Sequence, residues 1–294
     1  MKIKDVLEKT TTFFKDKKIP SARLDAEILI SFGLNLKRID LYLKHDQPLK
    51  DAELEDLRSL VRRRGQGEPV AYIIGEKEFY GLTFKVTSDV LIPRPETEHL
   101  VEKALDWVHK KSFDHPVRVL DLGCGSGCVG LSIAAKAPNT IVSLLDISEK
   151  ALAVTQDNIH LHKLNERVEL IKASAAEVGW MTQGNRIFKH NLFDIVVANP
   201  PYIDRHDPEV EKFVRKFEPE IALFAEEKGL SLLKSWSEIY EKYLSSEAMM
   251  AMEIGSQQGT EMYDHFKMLG CFHDVQIIQD LANHDRIVFG AKYG

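Results

Sequence analysis

The stretch VLDLGCGSGCVG, residues Val119–Gly130, decides how the chain is read. An apolar run ends at Leu122 and meets alternating glycines, Gly123, Gly125 and Gly127, before a helical pattern opens. Glycines there let the backbone turn tightly and approach a ligand, and a helix start offers unpaired amides. Gly125 to Gly130 also satisfies the GxGxxG dinucleotide pattern, which taken alone is a weak match. Two features point away from a nicotinamide cofactor. The glycines begin earlier, at Gly123, and Asp121 stands directly before them. A carboxylate in that place repels a pyrophosphate but suits a ligand carrying an ammonium and a sulfonium. Asp121-x-Gly123-x-Gly125-x-Gly127 therefore reads as an S-adenosylmethionine site, with Cys124 and Ser126 contributing backbone amides. A bare strand-to-helix turn would not need three alternating glycines.

Outward from this loop, strands and helices alternate: VRVLDL, a helix through Ala137, IVSLLD, a helix near Lys150–Leu161, RVELIKA and FDIVVAN. The later part adds MMAMEI, VQIIQDL and RIVFGAK with helices near Gly229–Leu244 and Thr260–Leu269. Such alternation predicts a parallel sheet covered on both faces, with the last strand antiparallel because no helix fits before it. Asp146 ends IVSLLD, where an acid can accept hydrogen bonds from a ribose. A helix N-cap ahead of Ser148 is the competing role.

FDIVVAN runs into Asn199-Pro200-Pro201-Tyr202. Two prolines stop a central strand outright. In a doubly wound sheet this fourth strand neighbours the first, so Asn199 is expected beside the glycine loop. An amide or exocyclic amine nitrogen is a poor nucleophile because its lone pair is delocalised. Accepting hydrogen bonds from both its N–H groups orients it and favours a pyramidal geometry. The Asn199 side-chain oxygen can accept one and the Pro200 carbonyl the other, while Pro201 stiffens the loop and Tyr202 offers a flat face. The four residues together point to N-methylation of a planar nitrogen, without choosing between adenine, cytosine and glutamine.

The first ~75 residues read as helices. Val6, Leu7, Thr10, Phe13 and Phe14 share one spacing. Ser21 is expected to cap a helix carrying Leu24, Ile28, Leu29 and Phe32, and Asp51 one carrying Leu54, Leu57, Leu60 and Val61. Arg62-Arg63-Arg64 reads as a solvated helix end, with docking to a partner as the sharper alternative. EFYGLTFKVTSDVLIP, Glu78–Pro93, switches to strand-forming residues around Gly81 and suggests a hairpin. The expected domains are 1–75 (helical), 76–92 (hairpin) and 93–294 (catalytic).

The chain has 294 residues, 44% hydrophobic and 29% charged, with a formal net charge of −6. That balance argues against a protein built to coat nucleic acid. Three cysteines, Cys124, Cys128 and Cys271, make neither a disulfide framework nor a zinc spacing, and the histidines form no ligand pattern, so no metal is expected. No signal peptide or membrane span is expected either, which leaves a cytoplasmic protein.

With these residues in hand, the chain resembles the release-factor glutamine N5-methyltransferases, the PrmC/HemK family. The likeness runs through EPVAYIIGEKEFYGLTFKVTSDVLIPRPETE (Glu68–Glu98), LDLGCGSG, NPPYI, FEP (Phe217–Pro219), MEIG (Met252–Gly255) and DRIV (Asp285–Val288). The segment before Glu98 is the specific part, since nucleic-acid methyltransferases that share NPPY lack it.

The resemblance implies a seven-stranded, Rossmann-like α/β domain of class I methyltransferases behind a small helical domain that helps hold the substrate. It implies methylation of the glutamine in the Gly-Gly-Gln motif of class I peptide chain release factors by S-adenosylmethionine. No nucleic-acid substrate and a monomer are expected. Gly123 to Gly127 and Asp146 carry over as cofactor contacts, with Asn199 shared between cofactor and substrate. Asn199, Pro200, Pro201 and Tyr202 carry over as the substrate clamp, and LIPRPETE as a cover for the cofactor's methionine end. Two places depart from the family. Ser174 and Ala175 stand where an acid and an aromatic usually meet the adenine, with Trp180 as candidate substitute. Asn283-His284 stands before Asp285-Arg286 where the family often shows Gly-Asn or Gly-Asp. The rival assignments are an N6-adenine DNA or RNA methyltransferase, which should show a recognition insertion or a basic face, and a non-catalytic cofactor sensor, which should lack Asn199 or Tyr202.

Overall fold

The computed structural model describes residues 1–111, 113–177, 192–207 and 212–293. The chain divides into two compact units, each with its own core.

The first unit holds α1 (Ile3–Asp16), α2 (Ala22–Gly33), α3 (Asp40–Leu43), α4 (Asp51–Gly65) and α5 (Val70–Ile74). A later helix, Lys212–Phe217 (α9 in chain order), also belongs to it, with Phe213 seated against Gly67. Nothing in the sequence marks that excursion. α1 buries Ile3, Val6, Leu7, Thr10 and Phe14, one stripe at helical spacing. Phe13 stays at the margin, where its ring covers Gly65. In α2 the expected face is turned. Leu24 and Phe32 are exposed while Ala22, Ala26, Leu29 and Ile30 are buried, because small residues let α2 pack closely.

Neither expected cap operates. Ser21 occupies the N-cap position without a side-chain bond, and α4 is capped from Lys50, whose N–H donates to Glu53 Oε2 at 2.7 Å. The arginine run is only in part a solvated end, with Arg62 exposed. Arg63 forks onto Glu68, and Arg64 Nε donates to the buried Asp25 Oδ2 at 2.7 Å and reaches the Glu68 carbonyl. These bonds fasten the end of α4 to the turn that follows, so two of the three cations serve the unit's own fold.

The hairpin is shorter than the sequence suggests. Strands β1 (Glu76–Phe79) and β2 (Leu82–Lys85) are joined through Tyr80 and Gly81, both left-handed, and residues 86–93 run on without pairing. Two consecutive left-handed residues match the twist of a tight hairpin.

The second unit contains α6 (Glu98–Lys110), β3 (Val117–Leu122), α7 (Cys128–Lys136), β4 (Thr140–Asp146), α8 (Glu149–Leu161), β5 (Val168–Lys172), β6 (Phe193–Ala198) and the short β7 (Ile203–Asp204). After α9 come β8 (Phe224–Ala225), the turn α10 (Glu226–Gly229), α11 (Ser231–Tyr240), β9 (Leu244–Glu253), α12 (Gly259–Leu269), β10 (Asp274–Gln279) and β11 (Asp285–Lys292). The large sheet has the order β10-β11-β9-β6-β3-β4-β5. β9, β6, β3, β4 and β5 are mutually parallel, while β11 is antiparallel to both its neighbours, as the missing crossover helix requires.

Alternate residues of each strand face opposite layers. Val119, Val142, Ile195, Val197 and Ala251 meet α6, α7 and α8, whereas Leu120, Val196, Ala198, Met250 and Met252 meet α11 and α12. Every residue of β6 is buried, which explains its apolar run from Ile195 to Ala198, and the one charged member, Asp194, is paired with Arg118. At the turn between β10 and β11, Asn283 is left-handed, a conformation that asparagine tolerates.

Candidate active site

The pairing of β3 with β6 places Leu122 against Ala198. The residues that follow each strand, the glycine loop and Asn199, therefore emerge side by side at the carboxyl edge, where the sheet order reverses. Both line one cavity of about 280 Å³.

The loop is held from three sides. Gly123, Gly125 and Gly127 are all left-handed. A Cβ on Gly125 would meet nothing within 4 Å, so that backbone lies open to the cavity. Asp146 Oδ2 accepts the Gly125 N–H at 2.9 Å and its Oδ1 accepts the Ser148 N–H at 2.8 Å. Ser148, not Asp146, caps α8 by accepting the Ala151 N–H. Asp146 thus ties the first two strand ends together, and burial raises its pKa. From α8, Thr155 Oγ1 donates to the Gly125 carbonyl at 2.6 Å, and Asn158 Nδ2 donates to the Ser126 and Lys85 carbonyls. The sequence reading missed these two. They stand three apart on the buried face of a helix, and buried polar side chains need partners.

Asp121 is 2% exposed, and its Oδ2 accepts the Gly130 N–H at 2.9 Å. Burial pushes its pKa up to about 7, the Gly130 bond opposes that, and the nearby Asp146 adds to it. A buried carboxylate at the cavity wall is stabilised by a cationic ligand, which fits the ammonium and sulfonium of S-adenosylmethionine. Burial also lifts the Cys124 thiol well above its ordinary range, which removes it as a nucleophile. Among the described residues, no cluster of His, Cys, Asp or Glu could hold a metal ion.

Of the residues expected at the site, Gly123, Cys124, Gly125, Ser126, Asp146, Asn199 and Pro201 line the cavity. Gly127 does not; it packs beneath Thr155 and Leu131. Pro200 is buried, and Tyr202 turns away so that its hydroxyl donates to Glu253 Oε1 at 2.8 Å. The Tyr202 carbonyl accepts from Gln258 Nε2 at 3.0 Å. Gly229 approaches the same carbonyl so closely that a Cβ would lie 1.9 Å from it. Asn199 Nδ2 donates to Thr97 Oγ1 at 3.2 Å.

Val90, Pro93, Arg94 and Thr97 line the cavity on one flank and Pro219, Ile221 and Ala222 on another. Arg94 is bound to the buried Glu218, whose other oxygen accepts the Ile92 N–H. Ser174, Ala175 and Ala176 complete the lining, with Ser174 Oγ accepting the Ala176 N–H. Trp180 lies outside the described residues, as does most of the connection up to Asn191.

Comparison with known proteins matches residues 5–75 to a family described as the PrmC N-terminal domain and residues 104–221 to the methyltransferase small domain. A release factor glutamine methyltransferase of Rhodopirellula baltica is 35% identical over 285 residues, 96% of this chain and 94% of that one. That of Chlorobaculum tepidum is 36% identical over 286 residues, again 96% and 94%. That of Aliivibrio fischeri is 36% identical over 270 residues, 92% and 90%. Among solved structures, the N-terminal domain of human METTL16 in complex with SAH aligns with a TM-score of 0.52 at 14% identity, covering 90% of each chain. At that identity the likeness speaks for the fold.

Proposed function

The chain belongs to the release factor glutamine methyltransferase family, and from that membership we propose that it methylates the side-chain nitrogen (N5) of the Gly-Gly-Gln glutamine in class I peptide chain release factors. The observation that carries the reading is the single cavity in which Asn199 and Pro201 stand against the open backbone of the glycine loop. When bound, S-adenosylmethionine supplies an electrophilic methyl group. Asp121, the Gly123 to Ser126 backbone and Asp146 hold it, with Asp146 still offering lone pairs to ribose hydroxyls beyond its two backbone bonds.

Asn199 Oδ1 accepts one N–H of the substrate amide and the Pro200 carbonyl accepts the other. Held this way, the nitrogen has its lone pair directed at the cavity and part of its geometric cost removed before reaction. The prolines keep the acceptors fixed. Tyr202 braces the loop from behind through Glu253 and Gln258 rather than forming the cavity wall. The helical first unit helps hold the release factor.

A direct test is transfer of labelled methyl from S-adenosylmethionine to a purified class I release factor. Labelling should occur and should vanish when the Gly-Gly-Gln glutamine is replaced. Transfer to DNA or RNA with none to the release factor would move the assignment to an adenine methyltransferase.

A further inference from the structure

The consecutive amides of the glycine loop meet different fates. Cys124 N–H donates to the Leu145 carbonyl at 2.9 Å and Gly125 N–H to Asp146 Oδ2 at 2.9 Å. Gly127 N–H donates to the Cys124 carbonyl at 2.7 Å. Among the described residues nothing accepts from the Ser126 N–H, although Ser126 is 2% exposed and lines the cavity. Buried backbone donors without a partner are rare in folded proteins, so one at a cavity wall points to a ligand.

The direction of that N–H is set by the peptide it belongs to. A trans peptide is planar, and its C=O and N–H point opposite ways. The Gly125 carbonyl shares the plane of the Ser126 N–H, and it accepts from Thr155 Oγ1 on α8 at 2.6 Å. Two oxygens approach that closely only with a hydrogen between them, so the hydroxyl hydrogen lies there rather than toward the Ala151 carbonyl at 2.9 Å. The next carbonyl, that of Ser126, accepts from Asn158 Nδ2 at 2.9 Å. Lys85 settles which end of this amide is which. Its backbone N–H can only donate and meets Asn158 Oδ1 at 2.7 Å, while its carbonyl accepts from Nδ2 at 3.0 Å. Thr155 and Asn158 are both fully buried.

We propose that Thr155 and Asn158 are positioning residues that turn two successive loop carbonyls toward α8 and so hold the Ser126 N–H toward the cavity, where an acceptor atom of S-adenosylmethionine takes it. The loop does not resist the opposite arrangement by itself. Gly125 is left-handed with open space where a Cβ would stand, so its peptide can flip at little steric cost. A flipped peptide would present a carbonyl oxygen to the ligand's acceptor and repel it. The bonds from α8 exclude that state before the cofactor arrives. The inference deepens the proposed function and rests on its reading of the cavity as the S-adenosylmethionine site.

Thr155→Val gives the cleanest test, because it removes the hydroxyl and keeps the methyl that packs over Gly127. Calorimetric affinity for S-adenosylmethionine should fall about tenfold, the scale of one hydrogen bond. KM for the cofactor should rise to match, while kcat on a release factor at saturating cofactor should stay within roughly threefold. Thr155→Ser, which keeps the hydroxyl, should bind within about twofold of the wild type. Asn158→Asp keeps an acceptor for Lys85 but cannot donate to Ser126, and it should also bind the cofactor more weakly. Independently of turnover, the Ser126 amide in ¹⁵N-serine-labelled protein, assigned by its loss in Ser126→Ala, should shift and exchange more slowly once S-adenosylmethionine is added. Wild-type affinity in Thr155→Val, a Thr155→Ser variant no better than Thr155→Val, or a Ser126 amide indifferent to the cofactor would each overturn the proposal. A wild type that binds no S-adenosylmethionine would overturn the proposed function as well, whereas binding that ignores Thr155 overturns this inference alone.

Discussion

At Asn199 turnover depends on one amide oxygen, so Asn199→Ala should lower kcat on a release factor by roughly 10²–10³. Affinity for S-adenosylmethionine should fall far less, because the glycine loop and Asp146 do not lean on Asn199. Steady-state kinetics beside calorimetry separates the two, and turnover surviving within a few fold would refute the clamp. Asp121 makes a different kind of prediction. Its pKa rises from an ordinary 3.8 to about 7 because burial penalises the charge. An acid whose folded pKa is raised opposes folding when ionised. The penalty is absent below about pH 4, grows through the window from 3.8 to about 7, and is complete above it. Asp121→Asn keeps an acceptor for the Gly130 N–H. The cofactor-free variant should therefore melt higher than the wild type at pH 8, with the gap shrinking toward pH 4, while binding S-adenosylmethionine more weakly. An equal melting difference at both pH values would remove the burial argument.

Among the elements, the turn α10 is the least expected. Glu227, Lys228 and Gly229 are consecutive left-handed residues, an arrangement that costs an L-residue about 1–2 kcal/mol at each non-glycine position. Gln258, just before α12, offsets part of this by donating to both the Lys228 and Tyr202 carbonyls. Gly229 is what allows the close approach. Gly229→Ala would set a Cβ 1.9 Å from the Tyr202 carbonyl oxygen, so the loop after Pro201 must shift. A displacement near 1 Å at a reacting group costs on the order of 10²-fold in rate. The variant should lose turnover by at least about tenfold while calorimetry still finds the cofactor bound. Full activity would show that the Tyr202 loop does not depend on this support.

At the scale of the whole molecule, two units with separate cores carry a formal net charge of −6. Two of the three clustered arginines are engaged in ion pairs within their own unit. Recognition of a folded protein through an accessible glutamine needs shape and hydrogen bonding more than phosphate neutralisation. Methylation of a release factor should therefore weaken only modestly between 50 and 200 mM salt, where a protein gripping 6–10 phosphates loses about 10³–10⁵ in affinity. A loss of that steepness, read from kcat/KM, would point to a nucleic-acid partner.

The sequence by itself determined the alternation of the second unit, the antiparallel last strand and the neighbourhood of the glycine loop and Asn199. These follow from local signals: apolar runs of strand length, glycines at one spacing, and prolines that stop a strand. Only the tertiary structure decided which face of α2 is buried, because Leu24 and Ala26 are both apolar and close packing chose the smaller. It alone decided that Arg63 and Arg64 are paired within the unit, since their acceptors are supplied by the following turn and by α2. It also decided what surrounds Asn199. Thr97 stands 102 positions away and Glu253 reaches the site through the register of β9 on β6. Polar side chains leave no periodic trace when they are buried. Their partners are set by strand order and by the cost of burying a donor or acceptor unpaired, and both exist only once the chain has folded.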